Sequence, residues 1–382
     1  MRTIGSVLDE RGGIASGFDF LRIALSLSIL GTHSALIVLG NDGIFQSGVG
    51  RAFHSALVPM FFALSGFLIT GSAMRLKLRD FLLNRGMRIL PALAMDIMIS
   101  AMILGPLLTS ASLHEYFTAY EFRAYFANVF GIIHYVLPGV FEATPFPQTV
   151  NGSLWTVPFE LGCYAIISTL IVSGSIKRTP LFICVASTFM ITVFWLRYTG
   201  FNPLDASGFA IFQAAAFKSA IHHFTWPERS LLYIYFVTGS LAYVLRHRIP
   251  MNSTCAAVAA LTITAVYLFP DTLGDDIALP ALVYLTVAIG ASDIPAIPLY
   301  SGGDYSYGIY LYGFPLQQSL VQIFPGRFTP MTHFMASIIL VTAFAMASWH
   351  LFEKPILRVR RKFSFTARQT VEGGTVHVAS SH

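Results

Sequence analysis

The sequence predicts an all-α integral membrane protein with about ten transmembrane helices and both termini in the cytoplasm. Three observations support this fold class. The chain of 382 residues is 55% hydrophobic and only 11% charged, whereas a soluble globular domain is roughly 25% charged. Apolar runs of about 17 to 25 residues, the length that crosses a bilayer, recur along it. Lys and Arg collect in alternate connections between those runs, as they do in multi-pass membrane proteins.

Ten runs have the length and composition of a transmembrane helix. They are 18–39, 52–74, 86–108, 154–172, 180–198, 230–245, 252–269, 277–292, 303–324 and 333–352. The sixth and the eighth are short and depend partly on the turn signals that bracket them. Two further stretches, 116–141 and 206–224, are apolar but interrupted by charge. We interpret these two as interfacial or re-entrant segments that do not cross.

The distribution of positive charge predicts the orientation. With the N-terminus inside, only six of the 24 Lys and Arg residues fall on the outer side: Arg51, Arg123, Arg197, Lys218, Arg229 and Arg327. Arg22 lies within its span, and all the others are cytoplasmic. A span in only one of the two interrupted stretches would invert every later loop and move the Arg-rich tail outside. The bias therefore favours an even number of spans.

One transmembrane domain, 18–355, accounts for almost the whole chain. The polar segment 1–17 precedes it without the cleavage pattern of a signal peptide, and the basic tail 356–382 is expected to contact anionic lipid head groups. The formal net charge of +5 raises the question of a nucleic-acid partner. We expect none, because the distribution of charge in a membrane protein matters more than its sum. The three cysteines fall in apolar runs and predict no disulfide framework.

Two ionisable residues interrupt the first apolar run, FDFLRIALSLSILGTHSALIVLG. Arg22 and His33 are eleven positions apart, which places them within roughly 20° of each other around a helix and about 16 Å apart along its axis. Because ionisable groups are costly in hydrocarbon, both are candidate functional residues. The structural alternatives are a His33 that hydrogen-bonds a neighbouring helix and a local pair of Arg22 with Asp19. The functional ones are a general base at His33 and an anion site at Arg22.

Glu160 is the predicted partner of His33. It lies in SLWTVPFELGCY on the fourth span, and both residues are about six positions, roughly 9 Å, below the outer surface. A carboxylate that accepts a proton from one imidazole nitrogen fixes the tautomer and leaves the other nitrogen free as a base. We therefore expect the two side chains to meet.

Arg85 and Arg88, in FLLNRGMRILPAL, share one helical face at the cytoplasmic mouth of the third span. They are either positive-inside anchors or a phosphate clamp, since each guanidinium offers a rigid fork of donors. With Arg22 on the same side, the clamp predicts a polyanionic cytosolic ligand. Asp96, about 12 Å inside the same span, is a candidate ion-pair partner for one of these arginines.

Small and aromatic residues mark candidate ligand paths. Ser65 and Gly66 lie at mid-membrane in FFALSGFLIT, where glycine permits close approach of either a helix or a ligand. Tyr310, in YSYGIYLYGFPLQQ, belongs either to an interfacial aromatic belt or to the wall of a thin substrate tunnel. The adjacent His222 and His223 point about 100° apart on a helix. We therefore expect no metal site.

These pieces resemble the acyltransferase type 3 family of membrane O-acyltransferases, which includes O-antigen acetylases and exopolysaccharide succinyltransferases. The resemblance runs from about Gly17 to Pro355. Six sequence motifs show the resemblance. In chain order they are FDFLRIALSLSILGTHS with Arg22 and His33, FFALSGFLIT at 61–70, RGMRILPAL with Arg85 and Arg88, SLWTVPFELGCY with Glu160, YSYGIYLYGFPL, and FEKP at 352–355. Many members carry a His within a YLWHxP pattern, where this chain has Gly313. Any role of that His is not carried over.

The resemblance implies transfer of an acyl group from cytosolic acyl-coenzyme A to an acceptor on the far side of the membrane. His33 is then the catalytic histidine, and our own expectation adds Glu160 as the group that orients it. The expected donor-binding residues are Arg22, Arg85, Arg88, Ser65, Gly66 and Tyr310. Acyl-coenzyme A is a co-substrate, and no permanently bound cofactor is expected. We expect acetyl transfer to a surface polysaccharide or lipid-linked sugar at a bacterial inner membrane. Direct transfer and an acyl-histidine intermediate both stay open.

A proton-coupled secondary transporter is the alternative from another class, because buried His, Arg, Asp and Glu in a many-span bundle also describe such a carrier. The sequence shows no inverted repeat, which weighs against it. A non-catalytic subunit of a membrane assembly is a third, weaker interpretation. The oligomeric state is not predicted.

Overall fold

The fold is described from a computed structural model. The structure describes residues 2–13, 15–199, 230–268, 274–295 and 297–363. These residues form helices and connecting loops, and they contain only two isolated β-bridges, Thr3 with Pro250 and Thr109 with Val140. The predicted interfacial stretch 206–224 lies outside the described residues. The all-helical class predicted from the sequence is confirmed for the part that is described.

Fifteen α-helices are numbered here in chain order within the described residues. They are α1 (Ile4–Glu10), α2 (Ser16–Leu39), α3 (Gly48–Ala73), α4 (Leu78–Ile99), α5 (Gly105–Leu108), α6 (Leu113–Thr118), α7 (Tyr120–Tyr125), α8 (Val157–Val172), α9 (Thr179–Thr199), α10 (Leu231–Val244), α11 (Ser253–Leu268), α12 (Gly274–Gly290), α13 (Ser306–Ile323), α14 (Pro330–Ser348) and α15 (Lys354–Phe363).

Six helical segments of the described chain are long and apolar enough to cross a membrane. They are Ser16–Leu39, Gly48–Ala73, Leu78–Leu108, Gly152–Val172, Thr179–Thr199 and Pro330–Arg358. The other four predicted spans coincide with helices α10 to α13, of which the first three are shorter apolar helices. Helix α13 has 18 residues and carries the buried amides Gln317 and Gln318, which lower its hydropathy. Ten crossings and the cytoplasmic placement of both termini stay predictions.

The stretch 116–141 is not a single long helix. It contains the end of α6, the whole of α7 and a 3-10 turn, Phe126–Phe130, and α6 and α7 have only six residues each. A capping box starts α6, because Ser112 Oγ accepts from the Glu115 amide and the Glu115 carboxylate accepts from the Ser112 amide. Segments this short do not cross a bilayer, in agreement with the non-spanning interpretation.

Two long helices are continued through π-helical turns, Ser100–Leu104 and Trp349–Glu353. Each turn is followed within two residues by a proline, Pro106 or Pro355. A proline lacks the amide hydrogen and crowds the preceding turn, and a wider turn accommodates both effects. The second turn places Glu353 inside the protein, where it accepts a hydrogen bond from Ser348 Oγ at 3.0 Å.

Close packing of α3 against α10 sets the position of the second span. A Cβ at Gly66 would overlap the carbonyl oxygen of Phe236, and a Cβ at Gly239 would overlap that of Ala63. Facing glycines let two helix backbones approach closely, as small residues do in membrane proteins. Helix α13 is buried along most of its length. The amide of Gln317 ties it to α2 through a hydrogen bond to the Leu30 carbonyl at 2.9 Å.

Candidate active site

A cavity of about 130 Å³, called here the inner cavity, lies between α2, α3, α4, α8, α10 and α13. Five of the six residues predicted to bind a donor contribute to its lining, and Glu160 does so as well. These predicted residues are Arg22, Ser65, Arg85, Arg88, Glu160 and Tyr310. The sequence places them on five different helices, and the fold brings them to one cavity.

Asp304 links two of the three arginines of the inner cavity. Its carboxylate lies 2.7 Å from Arg88 Nη1 and 4.0 Å from Arg22 Nη1, and it accepts from Ser306 Oγ at 2.9 Å. Asp304 therefore forms ion pairs with guanidiniums from two different helices. Asp304 lies two residues before the start of α13, and the sequence interpretation missed it.

The structure shows Arg22 both in a local ion pair and in the lining of the inner cavity, the two alternatives that the sequence left open. Its guanidinium pairs locally with Asp19 at 3.2 Å, and the residue also lines the inner cavity beside Arg85 and Arg88. The lining of the cavity itself contains three guanidiniums and one carboxylate, that of Glu160. The lining therefore carries an excess of positive charge, which suits an anionic ligand.

Hydrogen bonds hold Tyr310 in place in the wall of the inner cavity. Its hydroxyl donates to the Ser153 carbonyl at 3.0 Å and lies 2.9 Å from Thr156 Oγ1. Thr156 in turn donates to Glu160 at 3.4 Å. These contacts join α13 to the 3-10 turn Gly152–Thr156 that leads into α8. The site thus has a rigid wall at this position.

A second cavity of about 380 Å³, called here the outer cavity, contains His33. Val58 and Tyr310 line both cavities, so the two share a wall. The edge of the His33 ring packs on Phe314, with ring centroids 5.1 Å apart. The remaining lining includes Thr32, His54, Ser55, Trp155 and Tyr235.

His54 is a second imidazole of the outer cavity, and the sequence interpretation missed it. It belongs to α3 and stacks on Phe45, with ring centroids 4.7 Å apart. The depth argument that singled out His33 applies equally here, since His54 lies one to two turns after the start of the second membrane helix. The predicted span began only at residue 52, so His54 lay near the end of that span.

The expected contact between His33 and Glu160 is not formed. The two residues line different cavities, and no hydrogen bond or ion pair joins them. Glu160 instead accepts from Thr156. Depth along a span carries no information about which way the helix faces.

Gly66 and Asp96 have structural neighbours that the sequence did not identify. Gly66 is not part of the cavity lining and packs against α10 at Phe236. Asp96 is buried and accepts from Asn151 Nδ2 at 2.8 Å, and no arginine pairs with it in the described part of the chain. The same amide donates to the Leu311 carbonyl at 2.9 Å. Asn151 therefore ties the wall of the inner cavity to α4 and α13.

Comparison with known proteins gives matches over nearly the whole chain. A family described as an acyltransferase domain matches residues 16–350. An O-acetyl transferase of Shigella phage Sf6 is 26% identical over 345 residues, which is 89% of this chain and 95% of that protein. Nodulation protein 10 of Rhizobium leguminosarum bv. viciae is 26% identical over 372 residues, covering 94% and 97%. No solved structure matches significantly.

Proposed function

This chain belongs to the acyltransferase domain family, and from that premise we propose that it takes an acyl group from cytosolic acyl-coenzyme A and transfers it to a hydroxyl of an outer acceptor. The coarser part, a membrane O-acyltransferase, follows from the family, the similarity to an O-acetyl transferase and the apolar helices. Donor, acceptor and direction belong to the proposal. Acetyl is the acyl group we expect.

The observation that carries the proposal is the shared wall of the two cavities. One cavity is lined by Arg22, Arg85 and Arg88, and the other contains His33. Transfer across the membrane requires a donor site on one side and a base on the other. The arginines would hold the donor, and His33 would be the base. The reaction would take place beside Val58 and Tyr310, where the cavities adjoin.

The inner cavity suits a thin, multiply charged donor. Coenzyme A carries several phosphate charges, which the guanidiniums at the mouth would bind with charge-assisted hydrogen bonds. Its pantetheine arm is long and narrow, and the cavity of about 130 Å³ is small. The arm would extend past Ser65 towards Tyr310 and carry the thioester to the shared wall.

His33 would act as the general base. Its imidazole takes the proton of the acceptor hydroxyl, the oxygen attacks the thioester carbonyl carbon, and the carbon–sulfur bond breaks. The imidazolium then returns the proton to the leaving thiolate, so that coenzyme A departs as a free thiol. Alternatively, His33 attacks the thioester first and passes the acyl group on from an acyl-histidine. Both routes need His33 within reach of the shared wall.

The outer cavity has a lining that suits a sugar. Trp155 and Tyr235 offer flat apolar faces, and Thr32, Ser55 and His54 offer hydrogen-bonding groups. We propose a surface polysaccharide or a lipid-linked sugar at a bacterial inner membrane as the acceptor. The O-acetyl transferase among the relatives supports acetyl transfer to a hydroxyl.

A comparison of glycan masses tests this proposal. Cells that carry the gene, cells that lack it, and cells with the His33→Gln variant would be compared by mass spectrometry of their surface glycans and lipid-linked sugars. We expect the glycans to gain the mass of an acyl group only in cells with the parent gene. The mass difference identifies the acyl group. Identical glycan profiles, with parent protein that binds no acyl-coenzyme A, would contradict the proposal.

A further inference from the structure

A buried tyrosine hydroxyl forms part of the wall of the inner cavity. Tyr307 lines the inner cavity, and its hydroxyl is shielded from solvent and makes no hydrogen bond within the described residues. Nearly all buried polar groups in proteins have a partner. A buried hydroxyl without one destabilises the folded state. A bound ligand that supplies a hydrogen-bond partner would explain why a tyrosine, and not a phenylalanine, lies at this position.

The neighbouring Tyr310 differs from Tyr307 in the hydrogen bonds of its hydroxyl. The two tyrosines are three positions apart on α13, so they lie on neighbouring parts of one helical face. The Tyr310 hydroxyl is held by the Ser153 carbonyl and by Thr156. Of this pair, only the Tyr307 hydroxyl has no hydrogen-bond partner among the described residues. The difference indicates that Tyr310 builds the wall, whereas Tyr307 is available to a bound molecule.

We propose that the Tyr307 hydroxyl donates a hydrogen bond to an amide carbonyl of the donor's pantetheine arm. This inference rests on the proposed function, because it takes acyl-coenzyme A as the donor. Tyr307 is thereby a donor-binding residue additional to the arginines and Ser65. It recognises the neutral arm, whereas the guanidiniums recognise the phosphates.

The position of Tyr307 favours the arm over the thioester. Tyr310 reaches the wall shared with the outer cavity, and Tyr307 lies about 4.5 Å closer to the start of α13. The start of α13 is also where Asp304 meets Arg88. Tyr307 therefore lies between the guanidiniums that would hold the phosphates and the wall where the acyl group reacts. A neutral phenol hydroxyl is a suitable donor to an uncharged carbonyl oxygen.

The test uses Tyr307→Phe in the full-length purified protein, with Tyr116→Phe as the matched control. Tyr116 is a fully buried tyrosine outside the cavity, and its hydroxyl donates to the Ala101 carbonyl at 2.7 Å. Calorimetry measures the affinities for coenzyme A, acetyl-coenzyme A and adenosine 3′,5′-bisphosphate, which lacks the arm. Thermal unfolding without ligand measures stability.

We expect Tyr307→Phe to weaken binding of coenzyme A and acetyl-coenzyme A about three- to tenfold, the effect of one uncharged hydrogen bond. Its affinity for the bisphosphate should equal that of the parent, and its Tm should not fall. Tyr116→Phe should lower Tm and leave all three affinities unchanged.

Two results would overturn the inference: unchanged coenzyme A affinity in Tyr307→Phe, or a lowered Tm without ligand. A parent protein that binds neither coenzyme A nor its acetyl ester would instead refute the proposed function. The two failures are therefore distinguishable.

Discussion

Replacing Arg88 by Gln separates two roles that the structure gives this residue. Arg88 lies in the lining of the inner cavity and forms an ion pair with Asp304 at 2.7 Å, with 34% and 25% of the two side chains exposed. Exposed pairs contribute about 0 to 1 kcal/mol, whereas breaking a buried pair costs about 3 to 5 kcal/mol. For this partly buried pair, we expect Arg88→Gln to lower the free energy of unfolding by about 1 to 3 kcal/mol.

The donor-binding role adds a second effect of similar size. A hydrogen bond to a charged group contributes about 1.5 to 3 kcal/mol, which corresponds to roughly a 10- to 150-fold increase in the Kd for coenzyme A. Calorimetry on the purified protein measures this Kd, and thermal unfolding measures the loss of stability. Arg75→Gln is the control, because Arg75 is exposed and lies outside the cavity lining. It should change neither quantity.

The double variant Arg88→Gln with Asp304→Asn decides between the roles. It removes both charges of the pair, so much of the lost stability should return. The affinity for coenzyme A should stay low, because the guanidinium that contacts phosphate is still missing. Recovery of parental affinity in the double variant would refute the reasoning, since Arg88 would then act only by compensating Asp304.

Three further predictions concern packing, the polar network and salt. Gly66→Ala should strongly destabilise the protein in thermal unfolding, because its Cβ would overlap the Phe236 carbonyl. Gly86→Ala is the control, since its Cβ would meet only one atom, at 3.8 Å. This control should be neutral or should stabilise the protein by up to about 1 kcal/mol. Asn151→Ala should cost about 1 to 3 kcal/mol of unfolding free energy, because it leaves the carboxylate of Asp96 buried without its amide partner; unchanged stability would contradict that. The Kd for coenzyme A should rise with ionic strength, since phosphate binding at the mouth is screened by salt, and a salt-independent Kd would argue against a guanidinium site.

Hydropathy and charge periodicity were sufficient to predict the all-helical class, and they singled out several residues that the fold brings to one cavity. Arg22, Arg85 and Arg88 were identified because charges in or beside apolar runs are unusual, and that signal needs no knowledge of packing. The grouping of these arginines in one cavity agrees with the expectation that they share one side. Ser65 also falls where a ligand path was expected.

The contacts between helices could not be predicted in the same way. The carboxylate of Asp304 meets Arg88 across more than two hundred residues of sequence, and nothing local to either residue indicates that contact. Glu160 was assigned to His33 by depth alone, although the rotation of α8 directs it to a different cavity. Gly66 had two interpretations on spacing alone, and only the position of α10 favours packing.

Release of free thiol from acetyl-coenzyme A, compared between the parent protein and His33→Gln, tests the central claim most directly. The purified protein would be offered acetyl-coenzyme A together with membranes from cells that lack the gene, as the source of acceptor. We predict that His33→Gln lowers the rate about 10²- to 10⁴-fold, the usual contribution of a general base, while its Kd for coenzyme A stays at the parental value. Thiol release at the parental rate in a folded His33→Gln variant would contradict the account.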